Sequence, residues 1–237
     1  MSRIKIYLFP VCLLALLFMT SCIKGKGDVV NTTFTVEDFS GITNNISADV
    51  YITRSETPAV VISAQSNITE NITLDVTDGM LTIDFKRKNV RHYKPITIAV
   101  STPQLTQIVL NGSGNIYTTS TFDSCGTASV TINGSGNINT NFNSSIKTFS
   151  TINGSGDISL SGSSPNHDIV INGSGNIHAF PFYTQNSNIR IIGSGSCQVN
   201  AQNTLNVFIS GSGDVYYTGH PNITMNISGS GSVNDAN

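Results

Sequence analysis

Over the second half of the chain apolar residues fall at alternate positions, and the alternation is interrupted at a nearly fixed interval by Gly-Ser-Gly. The triplet occurs seven times, starting at Gly112, Gly134, Gly154, Gly173, Gly193, Gly211 and Gly229, with spacings of 22, 20, 19, 20, 18 and 18 residues. Two residues before the first glycine stand Leu110, Ile132, Ile152, Ile171, Ile191, Ile209 and Ile227. Four before it stand Ile108, Val130, Ser150, Ile169, Ile189, Val207 and Met225. Two after the second glycine come Ile116, Ile138, Ile158, Ile177, Cys197, Val215 and Val233. Period-two apolar positions indicate strands with one face inward. The glycines mark a bend that needs positive φ or close backbone approach. Asn115, Asn137, Asp157, Asn176 and Asp214 follow the second glycine and suit such a bend.

A turn of about 20 residues cannot bury its own apolar face, but it can when stacked on copies of itself at about 4.8 Å per rung. We therefore expect an all-β fold, a single-stranded parallel β-helix (β-solenoid), with about 20 residues per turn. Residues 108–234 form its seven regular Gly-Ser-Gly turns. An antiparallel sandwich would not require identity in register at one bend. Equivalent side chains should form ladders, Ile on Ile inside and Asn on Asn beside the bend.

The preceding stretch, 34–107, is β-rich but irregular. Phe39-Ser40-Gly41-Ile42 followed by Ile46 to Ile52 reads as a degenerate copy of the bend. Residues 60–62, 72–76, 81–85 and 96–100 alternate as strands, and Asp78-Gly79 is a hairpin turn. We expect irregular first turns here, with a hairpin capping the solenoid, since terminal repeats are atypical.

The register also governs the cysteines. Cys197 fills an inward slot that Ile or Val occupies elsewhere, so it reads as a small core hydrophobe. Cys125 lies four turns away, about 19 Å at this rise, beyond the ~7 Å between Cα atoms that a disulfide allows.

At the N-terminus Arg3 and Lys5 precede an apolar run from Leu8 to Met19, which ends in Met19-Thr20-Ser21-Cys22. The run is short for a membrane span and fits a signal peptide over 1–21. Its end resembles the bacterial lipobox, which implies cleavage before Cys22 and lipidation of that cysteine. Residues 22–33 would then be a lipid tether and 34–237 one domain. Ile23 is not the acidic residue that some bacteria use for inner-membrane retention, so an outer-membrane location is expected, with the leaflet open.

Charged residues make up 11% of the chain and the net charge is −2, which argues against a nucleic-acid partner. Recurrent Ile and Val argue against disorder.

The lipobox, the lead-in Phe39-Ser40-Gly41-Ile42…Ala48-Asp49-Val50, the segment Asp78-Gly79-Met80-Leu81-Thr82-Ile83, and the repeated Ile-Asn-Gly-Ser-Gly-Asn-Ile resemble the head GIN domain family. The resemblance runs from about Phe34 to Val233. It implies a cell-envelope protein of the Bacteroidetes type with an auto-transporter adhesin label. It brings no catalytic or ligand residues, and fold alone does not give function.

Candidate chemistry is sparse. From Ile108 onward the charged residues are Asp123, Lys147, Asp157, Asp168, Arg190, Asp214 and Asp235. Asp157 and Asp214 share a column but stand three turns apart, about 14 Å, too far for a glycosidase pair. We expect no enzyme and no cofactor. Asp49, Asp75, Asp78 and Asp84 in the first half are mostly explained by strand alternation. A metal is not expected: most bends carry neutral Asn, and His92, His167, His178 and His220 show no ligand spacing and read as solvated.

Two features could bear function. The outward column one residue beyond the inward Ile contains Tyr117, His178 and Tyr216 among Asn, Ser and Gln; it suits glycan contact, although a merely solvated face has the same composition. Lys86, Arg87, Lys88, Arg91 and Lys94 form a basic cluster between strands that could contact anionic lipid or polysaccharide, or serve only as a solvated connection. The expected function is a non-enzymatic binding module or adhesin presenting a rigid solenoid to glycan or protein. A polysaccharide-acting enzyme and a structural envelope component are the alternatives.

Overall fold

The computed structural model describes residues 22–124 and 126–237. The signal-peptide reading of 1–21 and the position of Cys125 lie outside the described residues.

From the N-terminus the strands are β1 (Ile23–Lys24), β2 (Val29–Thr35), β3 (Gly41–Asn44), β4 (Asp49–Arg54) and β5 (Ala59–Gln65). After one helical turn, α1 (Ser66–Thr69), come β6 (Ile72–Thr77), β7 (Met80–Phe85), β8 (Val90–Arg91) and β9 (Thr97–Thr102). The regular part begins with β10 (Gln107–Leu110), β11 (Asn115–Thr118), β12 (Phe122–Ser124), β13 (Thr127–Gly134), β14 (Asn137–Ser144) and β15 (Lys147–Gly154). Three long strands follow, β16 (Ile158–Gly173), β17 (Ile177–Gly193) and β18 (Cys197–Gly211), each leaving one bend and running into the next. The chain finishes with β19 (Asp214–Thr218), β20 (Asn222–Gly229) and β21 (Ser232–Asp235).

These strands stack in parallel and in register as a β-solenoid, and the seven bends bound six turns of about 20 residues. Ile132 pairs with Ile152, Ile152 with Ile171, Ile171 with Ile191 and Ile191 with Ile209, as the repeat predicts. All of these are buried. The bend is backbone stacked on backbone. Ser155 donates its N–H to Gly134 O at 3.0 Å, and Ser174 to Gly154 O at 2.9 Å. A Cβ on Gly154 would lie 2.1 Å from Gly134 O, and one on Gly156 2.0 Å from Gly136 O. Glycine is therefore required twice per bend, at the first position also because φ is +143° in Gly154. An amide ladder runs just before the first glycine of each bend, in a column the repeat analysis did not single out: Asn111 donates to Asn45, Asn133 to Asn111, Asn153 to Asn133 and Asn172 to Asn153, each at 2.8 Å. It stops at Ile192, the next rung.

The irregular turns are stacked out of chain order. β3 lies between β7 and β10, and β4 between β9 and β11, so the rung formed by residues 80–102 sits outside the rung formed by 41–54. Beyond it, β6 pairs antiparallel with β7, β5 antiparallel with β9, and β2 antiparallel with β5. This closes the N-terminal end of the solenoid and blunts its edges. Asp78 (φ 51°) and Gly79 (φ 72°) make the expected hairpin turn between β6 and β7. Asn44 occupies an inward slot that Leu110 fills in the next rung. Its side chain accepts from Ile46 N and donates to Ala48 O, closing a bend that lacks Gly-Ser-Gly. Residues 22–33, expected as a tether, carry β1 and the first part of β2.

Two inward positions differ from the expectation. Met225 is 61% exposed, because among the described residues β20 is the last rung and none covers it. His167, read above as solvated, is buried. It sits in a polar layer of the core, with Ser150 Oγ 2.8 Å from its Nε2 and the Phe182 ring edge-on at 5.1 Å. Burial pushes its pKa down to about 3, so the ring is neutral. In register Gly162 stands between Phe142 and Phe182. Cys197 is a free, buried thiol in the inward column, as expected, and burial raises its pKa.

Candidate binding face and basic loop

The strands that leave each bend place every second side chain outward, and register makes these side chains columns. Tyr117 pairs with Tyr51 on one side and Asn139 on the other; the column continues through Ser159, His178, Gln198 and Tyr216 to Asn234. Tyr117, His178 and Tyr216 thus share one face but not one pocket: from Tyr117 to Tyr216 is five rungs, about 24 Å. The aromatic end is larger than the sequence reading gave it. Tyr51 stacks on Tyr117 with ring centroids 5.1 Å apart and planes 18° off parallel. Partial burial, Asp49 and Tyr51 together raise the Tyr117 pKa, so its hydroxyl stays protonated. Tyr51 was legible in principle, since Asp49-Val50-Tyr51 aligns with Asn115-Ile116-Tyr117.

At mid-column His178 Nδ1 lies 3.3 Å from Gln198 Oε1. A shallow hollow of about 430 Å³ opens there, between His178, Asn139, Ser159 and the partly exposed Phe180 and Pro181. Alongside runs a hydrogen-bonded column: Asn115 donates to Asp49 at 2.7 Å, Asn137 to Asn115 at 3.0 Å, and Asn176 to Asp157 at 3.0 Å. Asp214 accepts from Ser232. Each of these carboxylates accepts within the ladder, and successive ones, Asp49 to Asp157 and Asp157 to Asp214, stand three rungs apart, about 14 Å. The Ser150 hydroxyl and the His167 imidazole, a pair that could act as nucleophile and base, are sealed in the core, where no substrate reaches them. Among the described residues, no three His, Cys, Asp or Glu side chains converge to hold a metal ion.

The other strand stack carries a groove that the sequence reading missed, about 490 Å³ and lined by Val170, Arg190, Phe208 and Met225. Arg190 lies over the Phe208 ring at 4.7 Å, and Asp168 is held by Lys147 and Asn188 at its edge. The in-register alignment of Val170, Arg190 and Phe208 follows from the repeat, as outward positions between the inward columns.

The basic residues Lys86, Arg87, Lys88, Arg91 and Lys94 are all exposed, between β7 and β9. Lys88 pairs with Asp84, Lys94 with Asp28 at 3.6 Å, and Lys86 Nζ donates to Glu70 O. Asn71 fixes the backbone of Arg87 from both sides, accepting from its N–H and donating to its carbonyl, each at 3.1 Å. Tyr93 packs on Phe85 at 6.1 Å. Cys22, the candidate lipid site, is partly exposed and directly precedes β1, which pairs with β8 in this loop. Among the described residues no helix is long and apolar enough to cross a membrane.

In-register parallel stacking with hydrogen-bonded ladders along its faces defines the class of the fold, a β-solenoid. The comparisons with known proteins give its family. The chain belongs to the head GIN domain family, described as "Putative auto-transporter adhesin, head GIN domain", which matches residues 38–221. It is similar in structure to an adhesin-labelled protein of Bacteroides fragilis, with TM-score 0.84 and 23% identity, covering 90% of this chain and 99% of that one. A protein of Parabacteroides distasonis named as lipid binding matches with TM-score 0.73 and 24% identity, covering 91% and 99%. An adhesin-labelled protein of Parabacteroides merdae matches with TM-score 0.69 and 25% identity, also covering 91% and 99%. No curated protein matches the chain.

Proposed function

We propose that this protein is a non-enzymatic adhesin of the cell envelope, held by lipid at Cys22 in the outer membrane, whose tyrosine column contacts glycan. The observation that carries this reading is the column itself. Stacked Tyr51 and Tyr117 stand at one end and Tyr216 at the other, on a flat face of uncharged side chains beside a ladder of amides and carboxylates. Aromatic faces pack against the apolar side of a sugar ring, while planar amides satisfy its hydroxyls. Repetition at about 4.8 Å per rung suits an extended polymer better than a small ligand. The family's adhesin description and the scarcity of free carboxylates support binding over catalysis. A purely structural solenoid needs no such column, so the test is binding. The mature chain is screened on a glycan array and against cells, then compared with Tyr117→Ala and Tyr216→Ala. At least tenfold weaker binding is expected for each, in line with aromatic anchors; unchanged binding overturns the reading.

A further inference from the structure

The chain's positive charge is concentrated at one place. Lys24 and Lys26, with the five cations of residues 86–94, account for seven of its 12 Lys and Arg residues. The first pair reaches the loop through strand pairing, not proximity in sequence. Ile23 N donates to Asn89 O at 2.9 Å, Ile23 aligns with Val90 and Lys24 with Arg91. Gly25 N then donates to His92 O at 3.3 Å. Asn67 continues the clamp, donating to Lys24 O at 2.7 Å and accepting from Lys26 N at 2.9 Å. Gly25 is packed so closely that a Cβ there would meet the Gln65 side chain at 1.9 Å.

Three acidic residues face this cluster. Asp84 takes Lys88, Asp28 takes Lys94, and Glu70 contributes its carbonyl to Lys86. Among the described residues Lys24, Lys26, Arg87 and Arg91 form no ion pair, and all four are exposed. Seven cations against three acids leave the patch at +4, whereas the other described residues hold three cations, Arg54, Lys147 and Arg190, against 11 acids. The solenoid is therefore electrically polarised, and its positive end is the end at which Cys22 emerges.

We propose that β1 and the 86–94 loop form a membrane-docking face, which binds anionic phosphate headgroups around the lipid anchor and sets the orientation of the solenoid on the bilayer. The placement beside the anchor rests on lipidation of Cys22; the affinity of the patch for headgroups does not. A lipid chain embeds the residue it modifies at the headgroup level, so cations fixed within a few residues of it are held inside a Debye length of the surface. Each Lys or Arg near an anionic leaflet gains appreciably from that field. A short rigid connection replaces a loose tether: the strand pairing prevents the solenoid from swivelling freely about Cys22, and the cations choose which side faces the bilayer.

The test uses residues 22–237 with Cys22→Ser, which retains every described strand and has no lipid. Flotation is measured with phosphatidylcholine vesicles that contain or lack phosphatidylglycerol. Binding that requires phosphatidylglycerol, falls at high salt, and drops at least about tenfold in Arg87→Glu/Arg91→Glu is expected. Circular dichroism confirms that the variant folds, and Lys24→Glu on the neighbouring strand serves as a second, milder variant with the same expected direction. Equal binding with and without phosphatidylglycerol overturns the proposal, as does undiminished binding by both variants. Binding to a soluble anionic polysaccharide with none to vesicles also overturns it and makes the patch a polysaccharide site. Metabolic labelling of the full chain with a fatty acid tests Cys22 separately, so failure of the anchor and failure of the patch are distinct results.

Discussion

Substituting alanine at three bend glycines separates the two physical demands on them. Gly112 has φ +150° but nothing within 4 Å of where a Cβ would lie, so Gly112→Ala carries backbone strain alone. Gly156 lacks a positive φ, yet its Cβ would stand 2.0 Å from Gly136 O and 3.1 Å from Ile132 Cγ2. Gly154 combines both, with φ +143° and a Cβ 2.1 Å from Gly134 O. A strained φ costs about 1–2 kcal/mol. Relieving a contact that close requires the rungs to part by roughly 1 Å, which weakens two or three ladder hydrogen bonds at about 1 kcal/mol each and loosens the core beneath. Expected destabilisation is therefore about 1 kcal/mol for Gly112→Ala, about 3 for Gly156→Ala and about 4–5 for Gly154→Ala. In a chain of this size 1 kcal/mol corresponds to roughly 2–4 °C in Tm, so thermal melts followed by circular dichroism resolve the order. Because each turn touches only its neighbours, hydrogen exchange should rise chiefly in the rungs on either side of the substituted bend. A Gly156→Ala protein as stable as Gly112→Ala, or as the unsubstituted chain, would refute backbone-on-backbone stacking as the reason for the triplet.

Acid should destabilise the fold through His167. Its pKa is lowered from 6.5 to about 3, so the unfolded chain binds the proton first, and stability falls as pH drops below about 6.5. Between pH 6.5 and 4 the loss is about 3 kcal/mol, and urea titrations of His167→Gln should show a flatter profile in that window. Asp84 and Asp168, whose pKa values are lowered, add their own loss only below about pH 3.8, so the two contributions separate. Ile192→Asn should extend the amide ladder beyond Asn172 and raise Tm by a degree or two, worth about 0.5 kcal/mol; a lower Tm would show that the exposed Ile192 matters for packing instead. Cys197→Ser places a hydroxyl in an apolar slot and should cost about 1–3 kcal/mol in a urea melt.

The seven bends and three inward columns were legible because a solenoid repeats its chemistry at a fixed spacing, and each rung confirms the next. The same logic placed Cys197 in the core and Tyr117, His178 and Tyr216 on one face. What escaped was non-local. The insertion of β7 and β9 outside β3 and β4 is decided by pairing across 39 and 48 residues, between segments whose repeat has decayed. The burial of His167 was not legible because Ser161 to Asn166, just ahead of it, lacks apolar alternation and resembles a loop; in three dimensions that stretch belongs to β16, and the imidazole lies in the core against Phe182. The clamp between β1 and β8 left no trace in periodicity, since each strand is only two residues long.

Glycan binding by the tyrosine column is tested most directly by affinity measured on one responsive glycan, for the mature chain and for two variants that alter different strand stacks. Tyr51→Ala/Tyr117→Ala removes the stacked pair, and Phe208→Ala changes the groove on the other strand stack. Loss of at least tenfold in the first variant with unchanged affinity in the second is the expected result. Full retention by the tyrosine variant would contradict it, and loss confined to Phe208→Ala would contradict it and move the binding surface to the other strand stack.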